Sequence, residues 1–225
     1  MRSAEAAAPV PGWLQGLVSA VRSVPGEGFS RLVPPQGSPT REAAVLVLFG
    51  DGVDGPEVLL LERAADMRTH AGQVAFPGGG LDPGETAERA ALREAHEETG
   101  LDPAGVQVLA VLPRLWLAPS GYAVTPVLGW WAVQSPVGAA DPAETAAVLR
   151  VPLAELVDPA RRHRVTGGRG FVGPAFEVGS HYVWGFTAGL LDRLLAVSGL
   201  ALPYDESDVR PLPAAIQAAL PGGGR

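Results

Sequence analysis

The sequence predicts an α/β fold in which a mixed β-sheet is covered by helices on both faces. Branched apolar runs typical of buried strands occur at 43–49 and 57–63. Helical patterns lie before and after them, at 13–21, 85–99 and 187–197. Strands and helices that alternate in this way favour a sheet between two helical layers.

The individual elements follow from local patterns. The runs at 43–49 and 57–63 predict a β-hairpin, joined by a longer loop at 50–56. The helix predicted after Asp82-Pro83-Gly84 should end at Gly100, because glycine commonly follows the last helical turn. The remaining elements, in chain order, are strands at 73–76, 106–117, 124–133 and 145–153, a short helix at 154–160, and a second hairpin at 171–178 and 181–186.

The chain of 225 residues fits one main domain with extensions. We expect an N-terminal helix and Pro/Gly-rich lead over 1–40 and a central domain over 41–200. A Pro/Ala-rich C-terminal tail over 201–225 should be peripheral.

Composition excludes several kinds of function. The absence of cysteine rules out disulfides, thiolate catalysis and Cys-based zinc sites. All 17 basic residues are arginine, so lysine chemistry and a Walker A phosphate loop are excluded. The net charge of −7 argues against nonspecific nucleic-acid binding, and no apolar run has the length of a membrane span. Glu5 and Pro9 interrupt any signal peptide, so the cytoplasm is the expected compartment.

Three acidic residues crowd the last turns of the predicted helix. At about 100° per residue, Glu94, Glu97 and Glu98 share a quarter to a third of its circumference. Carboxylates near a helix C-terminus each lose roughly 0.3–1 kcal/mol against the macrodipole. Glu94 and Glu98 also repel each other at i and i+4. This arrangement is unfavourable for the helix alone, so we expect a partner that compensates the negative charges.

A solvated acidic face is the alternative explanation, and two features count against it. Small residues lie upstream on the same face, at Ala87, Ala90 and Ala91, where close packing is favoured. The glycines at 78–80 also leave backbone groups free to approach a ligand. Carboxylates beside such a loop suit a hard, oxygen-ligated cation such as Mg²⁺.

The same residues form a recognisable pattern. Gly79, five residues, Glu85, seven residues and then the run from Arg93 to Leu101 reproduce every defined position of the Nudix box. The sequence therefore resembles Nudix hydrolases. The resemblance implies an α/β/α sandwich around a mixed sheet, and hydrolysis of nucleoside diphosphates linked to another group with Mg²⁺ or Mn²⁺.

A second stretch, from Leu59 to Gly79, is similar to the signature of coenzyme A pyrophosphatases. Leu61 and Glu62 replace the Thr-Lys pair of that signature, and the second change reverses a charge. The matching positions are Leu59, Leu60, Arg63, Ala64, Arg68, Gly72, Phe76, Pro77, Gly78 and Gly79.

The resemblance implies roles for individual residues. Glu94 and Glu98 would hold the metal with Glu97 beside them, and Glu97 or Glu144 would take the proton. Arg93 belongs with this catalytic set; we place it on another side of the helix and expect it to orient the loop by pairing with Glu85. The residues expected to bind substrate are Arg63, Arg68, Gly72, Phe76, Gly78 and Gly79, with the two arginines contacting anionic groups unless one pairs with Glu62 or Asp66.

Other conspicuous residues have structural explanations. His96 should point away from the acidic face, and His70 could line the pocket. The basic residues at 161–164 are expected to lie in a solvated loop, with anion contact as the alternative. The tryptophans at 116, 130, 131 and 184 should lie in the core unless one stacks on adenine.

The leading functional prediction is hydrolysis of coenzyme A or acyl-coenzyme A to 3′,5′-ADP and a 4′-phosphopantetheine. An alternative enzyme would cleave ADP-ribose, dinucleoside polyphosphates or another nucleoside diphosphate derivative. A third alternative is an inactive Nudix fold that binds a ligand as a regulator, although the intact box argues against it. The expected partner is a small-molecule substrate, not a nucleic acid or a membrane, and a homodimer stays open.

Overall fold

The computed structural model describes residues 8–23, 41–65, 71–117, 121–167 and 170–220. Within these ranges the strands form a main sheet of eight strands and a second sheet of four. The main sheet contains β1 (Arg41–Gly52), β2 (Gly55–Arg63), β3 (Val74–Ala75), β4 (Gly78–Gly80), β5 (Val106–Val111), β6 (Leu115–Leu117), β7 (Tyr122–Trp131) and β8 (Thr145–Pro152). The second sheet contains β9 (Arg162–Thr166), β10 (Val172–Val178), β11 (His181–Val183) and β12 (Val209–Pro211).

Four of the described helices are close to the predicted ones: α1 (Gly12–Ser23), α2 (Ala87–Thr99), α3 (Leu153–Val157) and α4 (Gly185–Ser198). A further described helix, α5 (Ala214–Ala219), lies in the C-terminal tail and was not predicted.

The predicted first hairpin is confirmed, but its loop is shorter than expected. Strands β1 and β2 pair antiparallel up to Gly52 and Gly55, so only two residues form the turn. Gly55 adopts a φ of 102°, a conformation that glycine accepts readily. The glycines and acids at 50–56 mostly extend the strands because the partner strand supplies their hydrogen bonds.

Both strand directions occur in the main sheet, as the mixed-sheet prediction requires. Strand β7 pairs parallel with β1 from Arg41–Tyr122 to Phe49–Trp130. The pairing of β2 with β8 is antiparallel and shifts register beside Arg63. The run at 106–117 is not one strand, because Pro113 lies in the break between β5 and β6. Proline has no backbone N–H to donate to a neighbouring strand.

Helices cover both faces of the main sheet, which confirms the α/β sandwich. On one face, α2 packs its small residues Ala90, Ala91 and Ala95 against strand residues such as Leu46 and Leu59. On the other face, α1 and α4 enclose a larger apolar core with the second sheet. That core includes Leu14, Leu17, Val47, Leu60, Phe176, Leu191 and Leu194.

The second sheet corrects the expectation of a solvated basic loop. Residues Arg162 to Arg164 lie on β9, where Arg162 and His163 are buried. Arg162 donates to Asp192 Oδ1 at 2.6 Å and lies over the Tyr204 ring. His163 contacts the Tyr182 hydroxyl at 2.6 Å, and burial lowers the pKa of its imidazole. These contacts tie the sheet together and leave two of the four basic residues inside the protein.

The tail predicted as peripheral contributes to this sheet. Strand β12 pairs parallel with β9, from Val209–Arg164 to Pro211–Thr166. Leu212 is 1% exposed and packs with Val165. Sequence periodicity missed this strand because its three residues are all exposed and its pairing is long-range.

Candidate active site

The acidic helix α2 begins and ends where capping groups are available. The Thr86 side chain accepts a hydrogen bond from the Arg89 N–H, which is the usual cap geometry. At the other end Gly100 has a φ of 69° and donates to the His96 carbonyl. The helix therefore holds Glu94, Glu97 and Glu98 in its last two turns, as predicted.

Arg93 connects the helix to the glycine-rich loop. It donates from Nε and Nη2 to the two oxygens of Glu85, at 3.0 and 2.9 Å. This confirms the predicted pair, and the hydrogen bond with Arg93 lowers the pKa of the Glu85 carboxyl. Nη2 also donates to the Gly80 carbonyl at 3.0 Å. The position expected for Arg93, on another side of the helix, is wrong, because its Nη1 also reaches Glu94 Oε1 at 2.9 Å and Glu97 Oε2 at 3.1 Å.

Glu98 is the most buried of the three acids. Its side chain is 8% exposed, it accepts from the Gly78 N–H at 2.9 Å, and it lies 3.7 Å from Arg63 Nη1. Burial outweighs these two contacts and raises the pKa of Glu98 to about 7. The negative charges of Glu94 and Glu144 act in the same direction. Near neutral pH this carboxylate is held in a place that a cation would stabilise.

Glu94 lies directly against the glycine loop. Burial raises its pKa, with further contributions from Glu97 and Glu144, while Arg93 lowers it. A Cβ atom at Gly79 would displace the Glu94 carboxylate. Glycine at this position therefore lets the carboxylate lie against the loop.

These observations fit a divalent cation held by Glu94 and Glu98. Both are hard oxygen donors one helical turn apart, and burial penalises their charges until a cation compensates them. The third acid of the predicted set, Glu97, does not converge on the same point as these two. Within the described ranges no three acidic or histidine side chains converge closely enough to hold a metal. Glu97 instead pairs with Arg93 and is 54% exposed.

Glu98 predicts a pH-dependent stability that one substitution should remove. The folded pKa of Glu98, about 7, lies above the ordinary value of 4.5. Its contribution to the free energy of unfolding is therefore fully present below pH 4.5 and is lost as the pH rises through 7. At about 1.4 kcal/mol per pKa unit, the loss is up to about 3 kcal/mol. With metal removed by a chelator, Glu98→Gln should therefore be more stable to unfolding than the parent. The difference in the free energy of unfolding should be larger at pH 8 than at pH 5.

Urea titrations at the two pH values measure this difference. Glu88→Gln is the control, because Glu88 is exposed in the first turn of α2, at the opposite end of the helix from Glu98. The same parent-to-variant difference at pH 5 and pH 8 would contradict the burial argument for Glu98.

The two candidate bases lie in different surroundings. Glu97 is engaged by Arg93, whereas Glu144 is exposed in the turn before β8. The Glu144 charge contributes to the raised pKa of both Glu94 and Glu98. Its backbone carbonyl accepts from the Ala64 N–H at 2.9 Å, which fixes the turn beside Arg63. Glu144 is therefore within electrostatic reach of the two metal-binding candidates.

The other residues predicted to bind substrate have different environments. Gly72 is exposed in the turn after β2, with a φ of 64°. Phe76 is only 3% exposed and its ring packs in the larger apolar core, so its role in substrate binding stays a prediction. Arg68, with its neighbours Asp66 and His70, lies outside the described residues.

Most of the remaining aromatic and histidine residues have contacts within the protein. His96 is exposed and its Nδ1 contacts the Leu101 carbonyl at 2.8 Å. Trp116, Trp130 and Trp131 are buried, whereas Trp184 is half-buried. Trp184 meets Phe171 edge-to-face at 6.0 Å.

The contact between Arg63 and Glu98 was not anticipated. Side chains alternate along a strand, so Leu59, Leu61 and Arg63 share one face of β2. Leu59 packs against α2, which places Arg63 on the side of the acidic helix. The alternation could have predicted this direction, and it separates Arg63 from Glu62, which lies 3.4 Å from His181 on the opposite face.

Comparison with known proteins agrees with this geometry. The model of the NUDIX domain family matches residues 39–165, more than half of the chain. The chain belongs to the Nudix family. A Cronobacter sakazakii protein named "Uncharacterized Nudix hydrolase NudL" is 42% identical over 160 residues, covering 68% of this chain and 81% of its own. The protein of the same name from Escherichia fergusonii is 40% identical over 166 residues, covering 71% and 84%.

A solved structure supports the Nudix fold. The Nudix hydrolase RenU from M. smegmatis aligns with a TM-score of 0.52 and 24% identity, covering 74% of this chain and 90% of its own. The family match includes the glycine loop, α2 and Glu144, and it ends within β9. Strands β10 to β12 and helix α4 of this Nudix hydrolase lie beyond it. In the described part of the chain, no helix is long and apolar enough to cross a membrane.

Proposed function

We propose that this Nudix hydrolase cleaves the diphosphate of coenzyme A or acyl-coenzyme A to 3′,5′-ADP and 4′-phosphopantetheine or its acyl derivative. One observation carries the proposal. Arg63, from the stretch similar to coenzyme A pyrophosphatases, lies 3.7 Å from Glu98 of the Nudix box. The two motifs therefore meet at one place, where a diphosphate could contact both.

The chain's own residues have separate duties in this reaction. Glu94 and Glu98 would hold Mg²⁺ or Mn²⁺, and Arg93 would keep the glycine loop and the helix in register through Glu85 and Gly80. When bound, the cation neutralises diphosphate charge and lowers the pKa of a coordinated water. The Gly78 N–H holds one oxygen of Glu98 in a fixed direction.

Hydrolysis needs one group that accepts a proton from the attacking water. Oxygen from water bonds to one phosphorus, the bond from that phosphorus to the bridging oxygen breaks, and the second phosphate leaves with that oxygen. The water proton passes to a carboxylate, for which Glu97 and Glu144 are the candidates. A group positioned for such a transfer contributes typically ~10²–10⁴-fold.

Arginine is the strongest candidate for recognising the 3′-phosphate, because this acidic chain has no lysine. The group adds roughly two negative charges near neutral pH, by analogy with phosphorylated side chains. Arg63 already faces Glu98, so we assign the 3′-phosphate chiefly to Arg68 on the sequence signature. A guanidinium offers a planar fork that matches phosphate oxygens.

Arg68→Ala should therefore weaken coenzyme A hydrolysis and narrow its advantage over dephospho-coenzyme A. A charge-assisted hydrogen bond is worth ~1.5–3 kcal/mol, which corresponds to roughly tenfold to a hundredfold in kcat/KM. Arg114→Ala, an exposed arginine paired with Glu42, is the control and should leave both values unchanged. Equal losses on the two substrates would remove Arg68 from 3′-phosphate recognition.

The alternative Nudix activities predict a different outcome. An enzyme for ADP-ribose or dinucleoside polyphosphates would show no preference for the 3′-phosphate, and a regulator would bind its ligand without turnover. The intact pair Glu94 and Glu98 favours an enzyme over a regulator. The cytoplasm as compartment and a homodimer as assembly remain predictions.

A further inference from the structure

The short strand β3 leads directly into the glycine loop of the active site. Only three residues separate Val74 from Gly78, whose N–H donates to Glu98 at 2.9 Å. Strand β3 has two residues, so its pairing with β2 supplies little support along the chain. Backbone hydrogen bonds from the Arg63 N–H to the Gln73 carbonyl and from the Leu46 N–H to the Pro77 carbonyl flank the strand, and side-chain contacts add to them.

A buried side chain from α4 provides one such contact. The Thr187 hydroxyl donates to the Val74 carbonyl at 3.1 Å, and Thr187 is 5% exposed. A threonine near a helix start often bonds within its own helix, but this one bonds across to the loop. Because Thr187 is buried, water does not compete for the Val74 carbonyl, and the hydrogen bond stabilises the position of β3.

A second contact joins the same two parts of the molecule. Glu62, the register partner of Val74 in β2, lies 3.4 Å from His181 Nε2 on β11. Val74 and Phe76 also share the apolar core with Val183 and Ala188. The segment that follows β9 thus contacts β3 through a hydrogen bond and apolar packing, and it contacts the paired residue of β2 through His181.

The loop has little freedom to absorb a displacement of β3. A Cβ atom at Gly78 would lie 2.3 Å from the Ala44 carbonyl oxygen. The Pro77 carbonyl also accepts from the Leu46 N–H at 2.8 Å. Because the backbone between Val74 and Gly78 is closely packed, we expect a shift at Val74 to move the Gly78 amide that donates to Glu98.

We propose that Thr187 is a positioning residue, which holds the Val74 carbonyl and thereby sets the Gly78 amide and the Glu94–Glu98 pair for catalysis. The proposal rests on the proposed function only in taking these carboxylates as the reactive centre. It assigns a role in the reaction to α4, which lies beyond the residues matched by the family model. Misplacement by about 1 Å is enough to cost up to ~10²-fold in rate.

The test compares Thr187→Val, which keeps the shape and removes the donor, with Thr187→Ser, which keeps the donor. Thr166→Val is the matched control, since the Thr166 hydroxyl contacts the Arg210 carbonyl at 3.4 Å in the second sheet, away from β3. Three quantities are measured on the full chain: amide exchange at Gly78 by NMR, Mn²⁺ affinity by electron paramagnetic resonance, and kcat and KM for coenzyme A.

Thr187→Val should speed exchange at Gly78, weaken Mn²⁺ binding and lower kcat, each by roughly tenfold, as expected for one lost buried hydrogen bond. Thr187→Ser should stay within about threefold of the parent, and Thr166→Val should be unchanged. Equal Gly78 exchange and Mn²⁺ affinity in Thr187→Val and the parent would overturn the proposal, as would equal losses in Thr166→Val. If the parent does not cleave coenzyme A, the exchange and Mn²⁺ results still decide the role of Thr187, and only the substrate assignment falls.

Discussion

Glu98→Gln should abolish turnover while leaving the protein folded. The neutral amide can still accept from the Gly78 N–H, but it removes a negative charge that the cation needs. Charge stabilisation by a bound cation is worth several kcal/mol, so we expect kcat to fall by about a thousandfold or more. Steady-state assays at saturating Mg²⁺ and Mn²⁺ measure the loss.

A neighbouring acid of the same helix provides the control. Glu88 is exposed in the first turn of α2, so Glu88→Gln should keep parental activity. If Glu98→Gln kept an activity within a few-fold of the parent, the assignment of Glu98 to the reactive centre would be wrong.

The second large effect should distinguish the two candidate bases. We expect Glu144→Gln to lose ~10²–10⁴-fold in kcat and Glu97→Gln to lose less. Glu97 already accepts from Arg93 at 3.1 Å, so protonating it would break an ion pair. Glu144 is exposed and its charge acts on both Glu94 and Glu98. The assay uses saturating metal, so that an effect on metal binding does not count as lost proton transfer.

The pH profile adds an independent criterion. The variant that lacks the base should lose the acidic limb of the kcat profile, whereas the other variant should keep it. A larger loss in Glu97→Gln, together with a flattened acidic limb, would place the base on the helix.

Local patterns predicted the elements that carry the site. The glycine at position 100 and the small residues of α2 were sufficient to define the acidic helix, and the apolar runs defined β1 and β2. The box spacing led to the Arg93–Glu85 pair, which the structure confirms at 2.9 Å. These features depend on residues close together in sequence, where periodicity and capping are informative.

Long-range contacts were less accessible. The partner of Arg63 depends on how β2 packs on α2, and the burial of Arg162 depends on Asp192, Phe176 and Tyr204. A charged residue on a short strand resembles a loop residue until its partners are known. The same limit applies to Thr187, because a single threonine at a helix start does not reveal the carbonyl that it contacts.

We propose that this Nudix hydrolase acts on coenzyme A. The most direct test is to measure kcat/KM for coenzyme A, dephospho-coenzyme A and ADP-ribose under one set of metal conditions, with products separated by chromatography. We predict 3′,5′-ADP and 4′-phosphopantetheine from coenzyme A and the highest kcat/KM for that substrate. Equal or greater efficiency on ADP-ribose or dephospho-coenzyme A would contradict the claim and leave only the general Nudix hydrolase activity.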